Sequence, residues 1–338
     1  MIFMSKRILA AACAAATALA LSACSSAPSS EGNATKDGTL TVMASFYPLQ
    51  YLAEKIGGEH VTVTSLTPAG AEPHDLELSP KTVDTLASAD AVVYLAGFQS
   101  AVDEAIEQQA PKTVIDVSPA AELVEANSSA NHPSEDEDEA QSGESATEEH
   151  ADHDHEGHDH EGHHHDMSAD PHFWLDPVRM ASAATLVGDK LAEADPANAG
   201  TYKANAKALN EELSALGDDL VAKTATCQIK TFVTAHTAFG YLADRTGLTQ
   251  VGISGLDPES SPSPARLAEI GQIAKDQGVT TIFTEALIDP KVAQTLADDL
   301  GISTAVLDPI ESQTDSSKDY AAVMKDNITA LTTANNCQ

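Results

Sequence analysis

Aromatic residues make up only 4% of the 338 positions and include a single tryptophan. Any hydrophobic core must therefore rest on Ala, Val, Leu and Ile, and an apolar content of 42% is enough to supply it. Basic side chains are scarce too: 18 Lys and Arg stand against 52 Asp and Glu, for a net charge of −34. That balance argues against nucleic acid or anionic lipid as an electrostatic partner and fits a chain that attracts cations. Between Glu135 and Asp166 there are 14 acidic residues and no Lys or Arg; removing those 14 from −34 leaves −20, so the rest of the chain is acidic as well. Beyond the N-terminal region there is no apolar run long enough to be expected to cross a bilayer.

The N-terminus reads as an address. Lys6 and Arg7 precede an apolar run from Ile8 to Leu21 that is too short for a stable membrane span. It ends in Leu21-Ser22-Ala23-Cys24, which resembles a bacterial lipobox with Cys24 as the lipid-modified first residue of the mature protein. Residues 1–23 are then a lipoprotein signal peptide and 24–37 a flexible polar tether. The expected location is the extracytoplasmic face of the cell membrane, with the anchor as the protein's one contact with lipid. Of the four cysteines, Cys13 leaves with the signal peptide and Cys24 takes the lipid. Cys227 and Cys337 remain as an even pair in an oxidising compartment, read as one disulfide.

The length exceeds that of one ordinary domain, so two lobes are expected. From 38 to 125 short β-rich runs alternate with helical patterns, beginning with strand Leu40–Ser45, helix 48–56 and strand Val61–Leu66. Residues 126–168 are Ser, Glu, Asp, His and Gly with almost nothing apolar, which reads as a disordered acidic insertion. The stretch 169–195 returns to the N-terminal lobe with a helix from Val178 to Ala192. A long linking helix is expected over 196–226, running across Gly217, and a C-terminal β/α lobe over 227–338. The fold class is thus α/β: two β/α lobes with parallel sheets, joined by a long rigid helix.

Nine of the 13 histidines fall in the insertion: His132, His150, His153, His155, His158, His160, His163, His164 and His165. Flexible clusters of imidazole and carboxylate bind Zn²⁺ weakly, because ordering the chain costs about 1–2 kcal/mol per residue. His60 starts a strand and reads as a surface residue. His74, His172 and His236 each lie in a loop or at the carboxyl end of a predicted strand, and Asp308 closes the strand Ser303–Leu307 in the same way. The carboxyl edge of an open α/β sheet is where ligands bind. Four such ligands, two from each lobe, place a metal site in the inter-lobe cleft, and three imidazoles with a carboxylate form a full tetrahedral shell for Zn²⁺. An enzyme is disfavoured: there is no His-Glu-x-x-His pattern, and Gly252-Ile253-Ser254-Gly255 lacks nucleophile-elbow spacing.

Several segments resemble the zinc and manganese solute-binding proteins of ABC importers. Thr67-Pro68-Ala69-Gly70-Ala71-Glu72-Pro73-His74-Asp75 is similar to that family's first ligand loop, and Asp170-Pro171-His172-Phe173-Trp174-Leu175-Asp176-Pro177 to its second ligand segment. Thr234-Ala235-His236-Thr237-Ala238-Phe239-Gly240-Tyr241 resembles the third, and Leu256 to Ala265 the signature loop of the second lobe. Phe283-Thr284-Glu285 and Leu307-Asp308-Pro309 fit the last two elements. The resemblance implies restricted hinge motion and delivery of the ion to an ABC permease with its ATPase; a monomer without enzymatic activity is expected. His236 and the acidic His-rich segment both point to zinc rather than manganese. For the fourth ligand Asp308 competes with Glu72, and Asp308 is favoured.

Overall fold

The computed structural model describes residues 39–125 and 169–338. The expected signal peptide, Cys24, the tether and all nine histidines of the insertion lie outside the described residues.

The first lobe is laid down by β1 (Leu40–Ala44), α1 (Tyr47–Gly57), β2 (Val61–Ser65), α2 (Pro80–Ser88), β3 (Ala91–Tyr94), α3 (Ser100–Gln109), β4 (Val114–Asp116) and the short α4 (Ser118–Ala121). After residue 169 come α5 (Pro177–Ala194) and α6 (Ala199–Thr224). The second lobe follows as β5 (Thr231–Thr234), α7 (Gly240–Thr246), β6 (Thr249–Gly252), α8 (Pro264–Asp276), β7 (Thr281–Thr284), α9 (Lys291–Leu300), β8 (Ser303–Val306) and α10 (Tyr320–Ala334). Each lobe holds one four-stranded parallel sheet, ordered β2-β1-β3-β4 and β6-β5-β7-β8. The two orders are the same, so the chain builds one β/α plan twice.

Local chemistry explains where the elements begin. Pro48, Pro80, Pro177 and Pro264 occupy the first helical turn, where a missing N–H costs nothing. Ser79, Asp176, Ser263 and Asp319 cap α2, α5, α8 and α10 by accepting backbone N–H bonds. The central strands β3 and β5 are buried along nearly their whole length, as parallel strands covered on both faces must be.

The connecting helix α6 is 26 residues long, about 39 Å at 1.5 Å per residue. It packs on α1 and α5 in the first lobe and on α7 and α10 in the second. Gly217 lies within it because α5 comes so close: a Cβ there would stand 2.7 Å from a methyl of Val178. One continuous core runs through both lobes, containing Phe46, Trp174, Tyr202, Leu213, Phe232 and Tyr320. Polar struts also cross between the lobes. Arg245 grips Asp176 with two bonds of 2.9 and 2.6 Å, and Trp174 Nε1 donates to the carbonyl of Pro309 at 2.7 Å. Separating the lobes would expose this shared core to water.

Cys227 and Cys337 are joined as a disulfide. It ties the end of the chain to the segment that leads into β5, where Ile229 and Gln228 N–H also donate to the carbonyls of Asn335 and Asn336. Among the described residues no helix is long and apolar enough to cross a membrane.

Candidate metal centre

Three histidines from three different loops meet in the cleft. His74 lies between β2 and α2, His172 precedes the 3₁₀ turn Phe173–Leu175, and His236 follows β5. The fourth member of the cluster is Glu311, five residues beyond the end of β8. Each lobe therefore contributes two of the four side chains. Oε1 of Glu311 stands 3.6 Å from Nε2 of His74 and 3.3 Å from Nε2 of both His172 and His236. The Nε2 atoms of His172 and His236 are 3.4 Å apart, and all four donor atoms fall within 4.8 Å of one another. Donors placed about 2.0–2.2 Å from a tetrahedral ion stand about 3.3–3.6 Å from each other. The three contacts of Glu311 and the His172–His236 pair, at 3.3–3.6 Å, match that spacing. Nε2 of His74 and Oε1 of Glu311 are buried without a hydrogen-bond partner, a costly state that a central cation would relieve.

Buried carboxylates behind two of the rings choose their tautomers. Nδ1 of His172 is 2.8 Å from Asp170 Oδ1, and Nδ1 of His236 is 2.7 Å from Glu285 Oε2. Each carboxylate also accepts the backbone N–H of the histidine it supports, at 3.0 and 3.1 Å. A proton held on Nδ1 leaves the Nε2 lone pair free to ligate and makes it more basic. Phe98 stacks edge-on to His74 at 4.8 Å, and Trp174 lies 5.2 Å from His172. These aromatic rings pack directly against two of the three imidazoles.

The electrostatics follow from this packing. Burial alone would pull His172 and His236 down, but their carboxylate partners, with Glu311, outweigh it and hold both above their ordinary value. His74 has no such carboxylate behind it, and burial lowers it. Burial would raise Glu311, yet the three imidazoles keep it well below the usual range, so it is the anion of the cluster. Glu72 is pushed up to about 8, first by burial and then by the charge of Glu311. It is thus neutral near pH 7. One of its oxygens accepts the N–H of His74 at 2.8 Å.

The expected set therefore changes at one position. His74, His172 and His236 are brought together; Asp308 is not part of the cluster, and Glu311 stands in its place. Asp308 Oδ1 is taken up by the N–H of Ile310 at 2.8 Å, while its backbone is bound by the side chain of Asn327. Pro309 and a left-handed Ile310 (φ 58°) carry the chain onward before an acidic side chain reaches the cleft. Glu72, the other candidate, supports the His74 loop instead. Sequence reasoning also missed the supporting roles of Asp170 and Glu285. Each lies within a segment already singled out, but nothing in spacing alone marks a carboxylate as a partner of Nδ1. His60, set aside as a surface residue, lies edge-on to Tyr202 and away from the cluster.

A cavity of about 330 Å³ opens beside the cluster, with Glu72, Ala235, Ser254 and Asp289 among its walls. It touches the residue before His236 and the partner of the His74 backbone. The arrangement can hold a divalent ion in a closed shell; it leaves no fourth position for a reacting water, as a catalytic zinc site would.

The zinc-binding protein AdcA of Streptococcus pyogenes is 34% identical over 301 residues, covering 87% of this chain. The chain spans 56% of the length of that relative. The high-affinity zinc uptake system protein ZnuA of Bacillus subtilis is 33% identical over 325 residues, covering 94% of each. Among solved structures, AdcAII of Streptococcus pneumoniae matches with a TM-score of 0.72 at 28% identity, over 88% of this chain and 100% of that one. Residues 42–334 match the family described as zinc-uptake complex component A, periplasmic, and the chain belongs to that family.

Proposed function

We propose that this chain captures Zn²⁺ outside the cytoplasmic membrane with high affinity and delivers it to an ABC permease driven by its ATPase. His74, His172, His236 and Glu311 are the ligands in this reading. The observation that carries it is the buried set of three Nε2 atoms and one carboxylate oxygen, all within 4.8 Å of one another and each imidazole within 3.6 Å of Glu311. Imidazole-rich shells suit zinc, whereas manganese prefers carboxylates. The relatives' names, a zinc-binding protein and a zinc uptake protein, support the same cargo. An anchor at Cys24 and work as a monomer complete the proposal, and relatives in Streptococcus pneumoniae are called zinc-binding lipoproteins. Metal analysis of protein purified under zinc-limited conditions and then offered equal zinc and manganese tests it. Zinc at one tight equivalent is expected, and a preference for manganese would overturn it.

Proton release gives a second test. Without metal, the carboxylates around His172 and His236 hold both above their ordinary value, so each keeps its proton to a higher pH than a free imidazole does. Their protonation stabilises the metal-free fold below about pH 6.5, and this contribution is lost as pH rises through the raised values. Zinc must displace those protons, so its affinity should tighten as pH rises from 6 through 8. Calorimetry in buffers of different ionisation enthalpy at pH 7 should show protons leaving on binding. A buffer-independent heat with flat affinity over that range contradicts the assignment.

The histidine-rich segment 126–168 is proposed to hold additional zinc weakly. Its flanks meet in an antiparallel bridge between Glu125 and Ala169, with Asp170 N–H donating to Val124, so a short turn can replace it without straining the fold. Deleting it should keep one tight equivalent and remove the weak ones in a calorimetric titration. Unchanged stoichiometry would make the segment a spacer.

A further inference from the structure

The loop that presents His74 runs from Thr67 to Asp75 and contains no helix or strand. The first lobe holds its two ends. Thr67 donates to the carbonyl of Ser45 through both its backbone N–H, at 3.1 Å, and its hydroxyl, at 2.7 Å. The buried Gln99 amide donates to Thr67 Oγ1 at 3.0 Å and to the carbonyl of Pro73 at 3.1 Å. The middle of the loop touches the other lobe differently. Gly70 N–H donates to Oγ of Ser312 at 2.7 Å, and among the described residues this is the loop's one hydrogen bond to the second lobe. Gly70 sits at φ +79° with nothing near its missing Cβ, a backbone conformation that glycine adopts at little cost. Ser312 directly follows Glu311 and is 6% exposed.

We infer that Ser312 is a positioning residue whose hydroxyl latches the His74 loop of one lobe to the Glu311 segment of the other. The inference rests on zinc capture at the four-residue cluster. His172 and His236 are each aimed by a buried carboxylate, whereas among the described residues no carboxylate accepts a bond from Nδ1 of His74. The orientation of His74 therefore depends on its loop, and its 3.6 Å approach to Glu311 is the longest of the three. An ion enclosed by buried ligands leaves only when one ligand withdraws. His74 is the ligand with the least support, and the Gly70–Ser312 bond is what holds its loop across the cleft. Breaking that bond speeds release more than it slows capture, since the encounter occurs before the latch closes.

The test follows zinc release from the full chain into excess chelator by stopped flow, reading the slowest phase. Ser312→Ala is expected to raise the release rate roughly two- to tenfold, the effect of one neutral hydrogen bond, with association changed less. Ser312→Thr keeps the hydroxyl and is expected to restore the slow rate. In a His74→Ala background, Ser312→Ala should add nothing, because the latch then holds no ligand. An unchanged rate in Ser312→Ala, or an equal increase in both backgrounds, overturns the latch. Amide hydrogen exchange on the metal-free protein separates this from the zinc assignment: Ser312→Ala should lose protection in residues 68–74 whether or not zinc binds. If protection is lost but the wild-type protein takes no zinc tightly, the cargo is wrong and the clamp stands. Protection unchanged by Ser312→Ala removes the clamp itself.

Discussion

His236→Ala is expected to weaken zinc binding by about two to three orders of magnitude. Four-ligand zinc sites bind with about 10–16 kcal/mol in all, so one ligand is worth about 3–4 kcal/mol, and each factor of ten is about 1.4 kcal/mol. His236 is also the ligand most firmly held. Its ring nitrogen and backbone N–H both engage Glu285, and its carbonyl accepts from Thr234 Oγ1 and Gln250 Nε2. Removing the imidazole leaves the buried Glu285 with the backbone N–H of that residue but no ring partner, so folding stability should fall as well. Glu285→Gln keeps the imidazole but weakens its aim, and should cost a smaller ten- to hundredfold. His60→Ala should leave affinity unchanged. Chelator competition with the three variants measures this order; equal losses for His236→Ala and His60→Ala would remove His236 from the site.

The second large effect concerns stability rather than binding. Cys227 and Cys337 are 110 residues apart in sequence, and their bond closes a loop worth about 4–5 kcal/mol in the chain-entropy account. At about 2–4 °C per kcal/mol for a chain of this class, Cys227→Ser with Cys337→Ser should lower the midpoint of thermal unfolding by roughly 10 °C or more. Some of the native clamp survives without the bond, because Asn335 Nδ2 still donates to the carbonyl of Ile229 and the backbone pairs remain. The disulfide precedes the amino end of β5, whereas His236 follows its carboxyl end. Zinc affinity of the folded protein should therefore change by less than about twofold, an effect small on the scale of lost ligands. Calorimetric melting and chelator competition on the same double variant separate the two quantities. Free thiols in the exported protein, or a loss of affinity at unchanged melting temperature, would contradict this division of labour.

Most of this fold was legible because its signals are local. The alternation of β-branched runs with helical periodicity, punctuated by proline at helix starts, predicts both sheets and their connecting helix. The expected linking helix over 196–226 and the observed α6 over 199–224 differ by three residues at the start and two at the end, and Gly217 does not break it because packing against Val178 favours a residue without a side chain. The histidines were legible for a related reason. Strand ends in a parallel sheet point to one edge, so His236 after β5 is placed by topology alone. Glu311 was not legible, because its position depends on how the chain turns after β8. Asp308 is nearer the strand end, but its carboxylate is used to close the turn at Ile310, and only the next acidic residue enters the cleft. Asp170 and Glu285 were equally hidden, since a carboxylate that aims an imidazole is recognised by contact and not by spacing. The Ser312–Gly70 bond spans 242 residues and could not be read from either segment by itself.

Crystals of the zinc-loaded protein, with anomalous scattering recorded at the zinc edge, test the ligand set most directly. One strong peak is predicted in the cleft, about 2.0–2.2 Å from Nε2 of His74, His172 and His236 and from one oxygen of Glu311. Asp308 should remain on Ile310 and Glu72 on the backbone of His74. A peak held by Asp308 or Glu72 with Glu311 turned away, or zinc bound solely within residues 126–168, would contradict capture by these four side chains.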